Sequence, residues 1–252
     1  MKPTFLNREK PLLTVMLQCE TPDLIIGRTR NALCEGAEAF GLQAEWLKPE
    51  YQNPEVYTQL IREMRDRPCY VTNYRGRNNG NTSDEALAEG LLTWAKCGAT
   101  LCDVPGDHYC KHPLQLTDDK DAIRKQMELI DKLHAEGAEV LMSSHIFTFT
   151  PAEKVLEVAL EQKRRGADVA KIVTGADTME QQIENLRITN LLKEELGIPF
   201  LFLSGGECSL LRRLGIHLGS CMALCNYEHD ALSSFQQPML KHMKDIRDNL
   251  GF

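Results

Sequence analysis

Eight short apolar runs, separated by longer amphipathic stretches, follow one another along the chain without a linker or a break in composition. This alternation is the strongest constraint on the fold. The runs Leu12–Leu17, Gln43–Leu47, Cys69–Tyr74, Thr100–Val104, Glu139–His145, Asp168–Val173, Pro199–Leu203 and Ser220–Leu224 read as strands. They are rich in Val, Ile and Leu, as strands covered on both faces must be. The intervening stretches carry helix signals. One begins near Asp23 and stops near Gly41, and others run over Glu55–Asp66, Ser83–Cys97, Asp118–Glu136 and Thr178–Leu196. Pro151 stands at a helix start and Gln237–Asn249 forms the last helix. Gly76–Asn81 is too rich in glycine and asparagine for regular structure.

Strands that alternate with helices give parallel sheets, and eight such units in 252 residues predict one (β/α)8 TIM barrel domain over residues 1–252. An open doubly wound sheet is the runner-up. It rarely needs eight parallel strands at this length, and no GxGxxG or Walker pattern follows the first strand.

A formal net charge of −7 argues against nucleic acid or an anionic membrane as the main partner. No stretch approaches the roughly 18 apolar residues of a membrane span. The segment Met1–Lys10 lacks an apolar secretory core. Nine irregularly spaced cysteines do not form a disulfide framework in a chain this long, so a reduced, cytoplasmic setting is expected.

Two residues carry the candidate chemistry. Lys171 lies inside the apolar run Val169-Ala170-Lys171-Ile172-Val173, and His145 ends the strand before it. Adjacent parallel strands bring such side chains together at the C-terminal mouth of a barrel, where barrel enzymes keep their reacting groups. A desolvated amine has a lowered pKa and a larger nucleophilic fraction, and an imidazole takes and returns protons near neutrality. Lys171 on the outer strand face, or paired with an interior aspartate, is the plain alternative, as is a structural role for His145. Cys102, Asp103, Asp107, His108, Cys110 and His112 cluster in sequence, but without a paired CxxC they do not predict a metal.

The segments Ser144-His145-Ile146-Phe147-Thr148-Phe149-Thr150-Pro151 and Ala167-Asp168-Val169-Ala170-Lys171-Ile172 resemble type I 3-dehydroquinate dehydratases. The similarity continues through Gly219-Ser220 to Ser233-Ser234-Phe235-Gln236-Gln237, which looks like that family's lid. The resemblance implies a hydro-lyase of the shikimate pathway that needs no cofactor and no metal, acts on a carboxylated hydroxy-ketone and works as a homodimer. It makes Lys171 the imine-forming nucleophile and His145 the general acid/base. Arg213, or its neighbour Arg212, matches the arginine that grips the substrate carboxylate. Ser233 and Gln237 match lid residues, and Arg75 and Glu45 match further substrate contacts. Each also has an ordinary reading, as a solvated arginine, a structural ion pair or a helix cap.

Departures from the family pattern cluster on the substrate side. Leu47 stands where the family has an arginine, with Lys48 beside it as a possible replacement donor. Asn79 falls where an acid orients the catalytic histidine, and the fourth strand ends Asp103-Val104-Pro105 in place of Asp-x-Glu. Two other classes fit a barrel lysine: a class I aldolase, for which Ser204-Gly205-Gly206 is a weak phosphate cradle, and a non-catalytic ligand-binding descendant.

Overall fold

The computed structural model describes residues 3–250. Its eight strands are β1 (Leu12–Leu17), β2 (Ala39–Gln43), β3 (Cys69–Thr72), β4 (Leu101–Pro105), β5 (Glu139–His145), β6 (Val169–Gly175), β7 (Phe200–Gly205) and β8 (Met222–Cys225). The helices that follow them in turn are α1 (Pro22–Cys34), α2 (Pro54–Glu63), α3 (Asp84–Cys97), α4 (Lys120–Ala135), α5 (Ala152–Arg164), α6 (Met179–Glu195), α7 (Leu211–Leu218) and α8 (Leu240–Leu250). Every paired strand runs parallel to its neighbour, in the order β7-β6-β5-β4-β3-β2-β1-β8. The remaining seam, β7 to β8, is held at its base by the Cys221 N–H donating to Phe200 O at 2.9 Å. The result is a nearly closed (β/α)8 TIM barrel. No helix among the described residues is long and apolar enough to cross a membrane.

Helix starts follow the side-chain chemistry. Asn53, Ser83, Asp119 and Thr178 each accept the backbone N–H three residues on, which satisfies a donor that the first helical turn leaves free. Two expected boundaries moved. Helix α1 ends at Cys34, because Gly36 adopts φ +93° and the Ala37 N–H closes back on Ala32 O. Strand β2 therefore begins four residues before the apolar run that suggested it, and Ala44–Trp46 is a 3-10 turn. Its sequence, Ala-Phe-Gly-Leu-Gln, conceals a strand because Gly41 occupies an inward position beside the Met16 thioether.

Strand alternation separates two cores. Leu12, Met16, Tyr70, Leu101, Leu141, Val169, Leu201 and Met222 fill the cylinder. Val140 and Met142, with Ala170 and Ile172, face outward against the helices. At the base, Phe5 is 2% exposed, and its N–H donates to Glu139 Oε2 at 2.9 Å. The Thr4 hydroxyl donates to the other oxygen of the same carboxylate. Phe5 thus closes the bottom of the cylinder.

At the opposite end, Gly175 lets the chain after His145 fold back onto β6. Its N–H donates to Thr148 O at 2.9 Å, and a Cβ there would lie 2.6 Å from Phe147 O. The three nearest atoms, Phe147 O, Thr148 C and Phe149 N, are all backbone, so little can yield. Gly175→Ala is expected to cost about 1–3 kcal/mol, measured as a lower urea midpoint with an unchanged slope.

Candidate active site

Alternation along β6 carries Val169, Lys171 and Val173 to the barrel interior, and along β5 it carries Leu141, Ser143 and His145. The register pairs Ser143 with Lys171 and His145 with Val173, so the histidine stands one layer above the lysine on the neighbouring strand. Lys171 is only 4% exposed, but its surroundings are not the apolar ones that its sequence neighbours suggested. Ala170 and Ile172 point away from it. Its Nζ lies 2.8 Å from Tyr70 Oη, 3.0 Å from Tyr74 Oη and 3.2 Å from Asp103 Oδ2. Pairing with an interior aspartate, the alternative left open by the sequence, is what the barrel contains.

Asp103 is the hub of this cluster. It is fully buried, and Oδ2 accepts both phenol hydroxyls as well as the lysine. Oδ1 accepts the Ser143 hydroxyl at 2.6 Å. Burial, and then the Asp103 charge, hold both tyrosines well above the ordinary phenol range, so they remain O–H donors. Four donors on one carboxylate make a buried polar network with its partners supplied.

Tyr74 links the layers, since its ring also meets His145 edge-on with centroids 5.4 Å apart. His145 stacks on Phe147 at 5.9 Å. Burial and then the Lys171 charge push its pKa down to about 3; Arg212 acts in the same direction and Asp103 opposes them. The folded protein therefore keeps this imidazole neutral where an unfolded chain would protonate it. Stability from this group is complete above pH ~6.5 and declines as pH falls toward 3. Unfolding by denaturant at pH 7.5 and pH 4.5 should show a smaller acid loss in His145→Gln than in the wild type.

The positions expected from sequence divide when placed in space. Arg212 and Arg213 lie one helical step apart, about 100° around α7, so only one can face the mouth. Arg212 does: it is close enough to influence His145, and its Nε donates to Ser204 O at 2.7 Å, which leaves the terminal nitrogens as further donors. Burial and the adjacent Arg213 pull its pKa down to about 10. Arg213 instead turns to Ser209, donating to its carbonyl at 3.3 Å and its hydroxyl at 3.2 Å. Arg212, the alternative left beside Arg213 in the sequence, is thus the one turned toward His145.

Arg75 reaches the edge of the cleft, but its guanidinium grips Asp84 through two 2.7 Å bonds and Asp107 at 2.9 Å. Glu45 is buried, accepting the Thr72 hydroxyl at 2.8 Å and, more weakly, the Tyr74 N–H at 3.4 Å; burial raises its pKa. Ser233 caps its own loop, donating to Asp230 Oδ1 at 2.7 Å. Gln237 is buried, and its Oε1 has no hydrogen-bond partner among the described residues.

The departures are also located. Leu47 is fully buried, and Lys48 turns outward to Glu20 at 3.3 Å, so it does not restore the missing donor. Asn79 binds Asn73 and Tyr74 O, at 3.0 and 2.7 Å, away from the histidine. The group against His145 is Gln115, whose Oε1 accepts the His145 backbone N–H at 2.7 Å and lies 3.2 Å from Nδ1. Asp107 binds Arg75 and the His112 N–H, and His108 Nε2 lies 2.9 Å from Asp84 O, so these members of the cysteine–histidine cluster serve the loop. A cleft of about 760 Å3 opens over this region, with Tyr74, Gln115, His145 and Phe147 in its wall.

Tyr70, Tyr74, Asp103, Arg212 and Gln115 complete the site, and only Asp103 and Arg212 had drawn notice in the sequence. A tyrosine two residues into an apolar run is the one local sign that Tyr70 points inward.

Comparison with known proteins bears on the family and the fold. The chain is 34% identical over 102 residues to the 3-dehydroquinate dehydratase of Alkaliphilus oremlandii, covering 40% of this chain and 39% of that relative. It is 24% identical over 219 residues to the enzyme of the same name from Lactiplantibacillus plantarum, covering 85% and 83%. A 3-dehydroquinate dehydratase from Geobacillus kaustophilus superposes with a TM-score of 0.81 at 14% identity, over 96% of this chain and 91% of that one. A type I 3-dehydroquinate dehydratase from Clostridium difficile, solved with covalently modified comenic acid, gives 0.79 at 16%, over 96% and 93%. At such identities these superpositions speak for the fold. The sequence model of the type I 3-dehydroquinase family matches residues 13–251, and the chain belongs to that family.

Proposed function

We propose that the protein is a 3-dehydroquinate dehydratase that eliminates water from 3-dehydroquinate, or a closely related carboxylated hydroxy-ketone, through an imine on Lys171. The observation that carries this reading is the buried Lys171 amine, held by Asp103, Tyr70 and Tyr74 one layer beneath His145. Family membership and the names of the relatives point to the same reaction. They do not favour an aldolase or a non-catalytic binder.

The chemistry follows from the placement of the groups. The Lys171 ammonium first passes a proton to Asp103; the neutral nitrogen then adds to the ketone carbon, and loss of water from the adduct leaves a protonated imine. The two phenols bridge that nitrogen and Asp103, so they can relay the proton held on Asp103 to the departing oxygen. The imine draws electrons and acidifies the neighbouring C–H, whose proton the bare nitrogen of His145 removes. The enamine then expels the β-hydroxyl, which recovers that proton from the imidazolium and leaves as water. Hydrolysis of the conjugated imine frees the enone and the lysine. Arg212 is the carboxylate partner in this reading, because a guanidinium fork matches a carboxylate. Gln237 and the lid around Ser233 take the ring hydroxyls, while Glu45 and Arg75 shape the wall. The reading carries a single barrel domain, a cytoplasmic setting and a homodimer with it.

Borohydride reduction in the presence of 3-dehydroquinate, followed by peptide mass spectrometry, is expected to find the reduced adduct on Lys171. Turnover should appear as growing enone absorbance. An unmodified Lys171 together with flat absorbance would refute the proposal.

A further inference from the structure

We propose that Gln115 is the positioning residue of His145: its amide oxygen fixes the ring's tautomer and orientation, so that Nε2 carries the free lone pair. The inference rests on the reading of His145 as the acid/base of the dehydration.

The tautomer follows from hydrogen-bond accounting. The His145 backbone N–H donates to the Gln115 side chain at 2.7 Å, and only the oxygen of an amide accepts, so the orientation of that amide is settled. The same oxygen faces Nδ1 at 3.2 Å. Two acceptors would repel there, so Nδ1 bears the hydrogen and Nε2 is bare.

Gln115 is itself held firmly. Its backbone occupies the left-handed region, φ +46°, which a residue with a side chain keeps only when its surroundings demand it. The Gln115 N–H donates to His112 O at 2.8 Å, and its carbonyl accepts the Ser144 hydroxyl at 2.8 Å. Gly106 permits the approach, because a Cβ there would lie 2.5 Å from Gln115 O. Beneath the loop, buried Arg165 donates to Gly106 O at 3.2 Å and to Thr117 O at 2.6 Å. Gln126 donates to Gly106 O and His108 O, both at 2.9 Å. The connection from β4 to α4 is thus anchored at both ends of the glutamine.

An amide oxygen orients an imidazole but does not offset the charge of the imidazolium. The other groups acting on the ring are Tyr74 from the loop after β3, Asp103 from β4, Lys171 from β6 and Arg212 from α7. Two of these are cations and one is a carboxylate already receiving four donors. Gln115 therefore yields a weak base whose conjugate acid returns its proton readily to the leaving hydroxyl.

The test is an NMR titration of 15N-histidine-labelled wild type, Gln115→Glu and Gln115→Ala, with steady-state kinetics on 3-dehydroquinate alongside. In the wild type, His145 should stay neutral with the hydrogen on Nδ1 down to about pH 5. Gln115→Glu should raise its pKa by roughly 1–3 units and move the acid limb of the rate profile to higher pH. Gln115→Ala should mix the tautomers and lower kcat by roughly 10- to 100-fold, with a much smaller change in KM. An unmoved His145 pKa in Gln115→Glu, or a retained tautomer with wild-type kcat in Gln115→Ala, would overturn the proposal. The ring signals report without turnover, so a wild type inactive on 3-dehydroquinate would count against the dehydratase reading and leave this one standing or falling on the spectra.

Discussion

Lys171→Ala is expected to abolish borohydride-trapped adduct and to lower kcat on 3-dehydroquinate by about 10⁴-fold or more, as loss of a covalent nucleophile does. Among the described residues, the Lys171 amine is the one held inside the cylinder by Asp103 and two phenols, and no neighbouring amine is placed to take over its attack. Binding should be far less affected, since the proposed carboxylate partner Arg212 is on α7 and is untouched by the change. A substrate analogue that competes with 3-dehydroquinate should bind Lys171→Ala within a few-fold of the wild type. Retention of more than one hundredth of wild-type kcat would exclude the imine route.

The second large effect concerns stability. Asp103→Ala removes the carboxylate that collects Lys171, Tyr70, Tyr74 and Ser143, and it leaves an ammonium at a site 4% exposed without its counter-ion. Stripping one partner from a buried ion pair costs about 3–5 kcal/mol, because the survivor stays desolvated and unpaired. Urea unfolding should show that loss, and the melting temperature should fall by roughly 10 °C. The paired replacement Asp103→Leu with Lys171→Met should recover part of it, since removing both charges also removes the desolvation penalty. A loss below about 1 kcal/mol in Asp103→Ala would mean that the lysine's charge is satisfied by other groups.

The barrel and the placement of Lys171 beside His145 were legible in the sequence because both depend on periodicity. Strand β5 begins and ends where the apolar run does, and alternation along β6 puts Lys171 on the inner face. Strand β2 was displaced because Gly41 removes the apolar signal at an inward position. Which of Arg212 and Arg213 turns toward His145 was not legible, because a shift of one residue on a helix is invisible in a short motif and decisive in space. Gln115 was beyond reach for a different reason. It acts on a residue thirty positions away from an irregular connection whose course is set by Arg165, Gln126 and Gly106, and no local pattern encodes that path. Tyr74 was hidden likewise, lying just past the end of β3.

The small aromatic stopper at the underside has a reach that its position conceals. The groups around the Lys171 nitrogen rest on a column of apolar side chains that ends at Phe5, tied to β5 through its first residue, Glu139. Were Phe5 replaced by a glycine, water would gain a route upward from the floor, and the hydration of the amine would then be governed from the end of the cylinder opposite to the one the substrate enters.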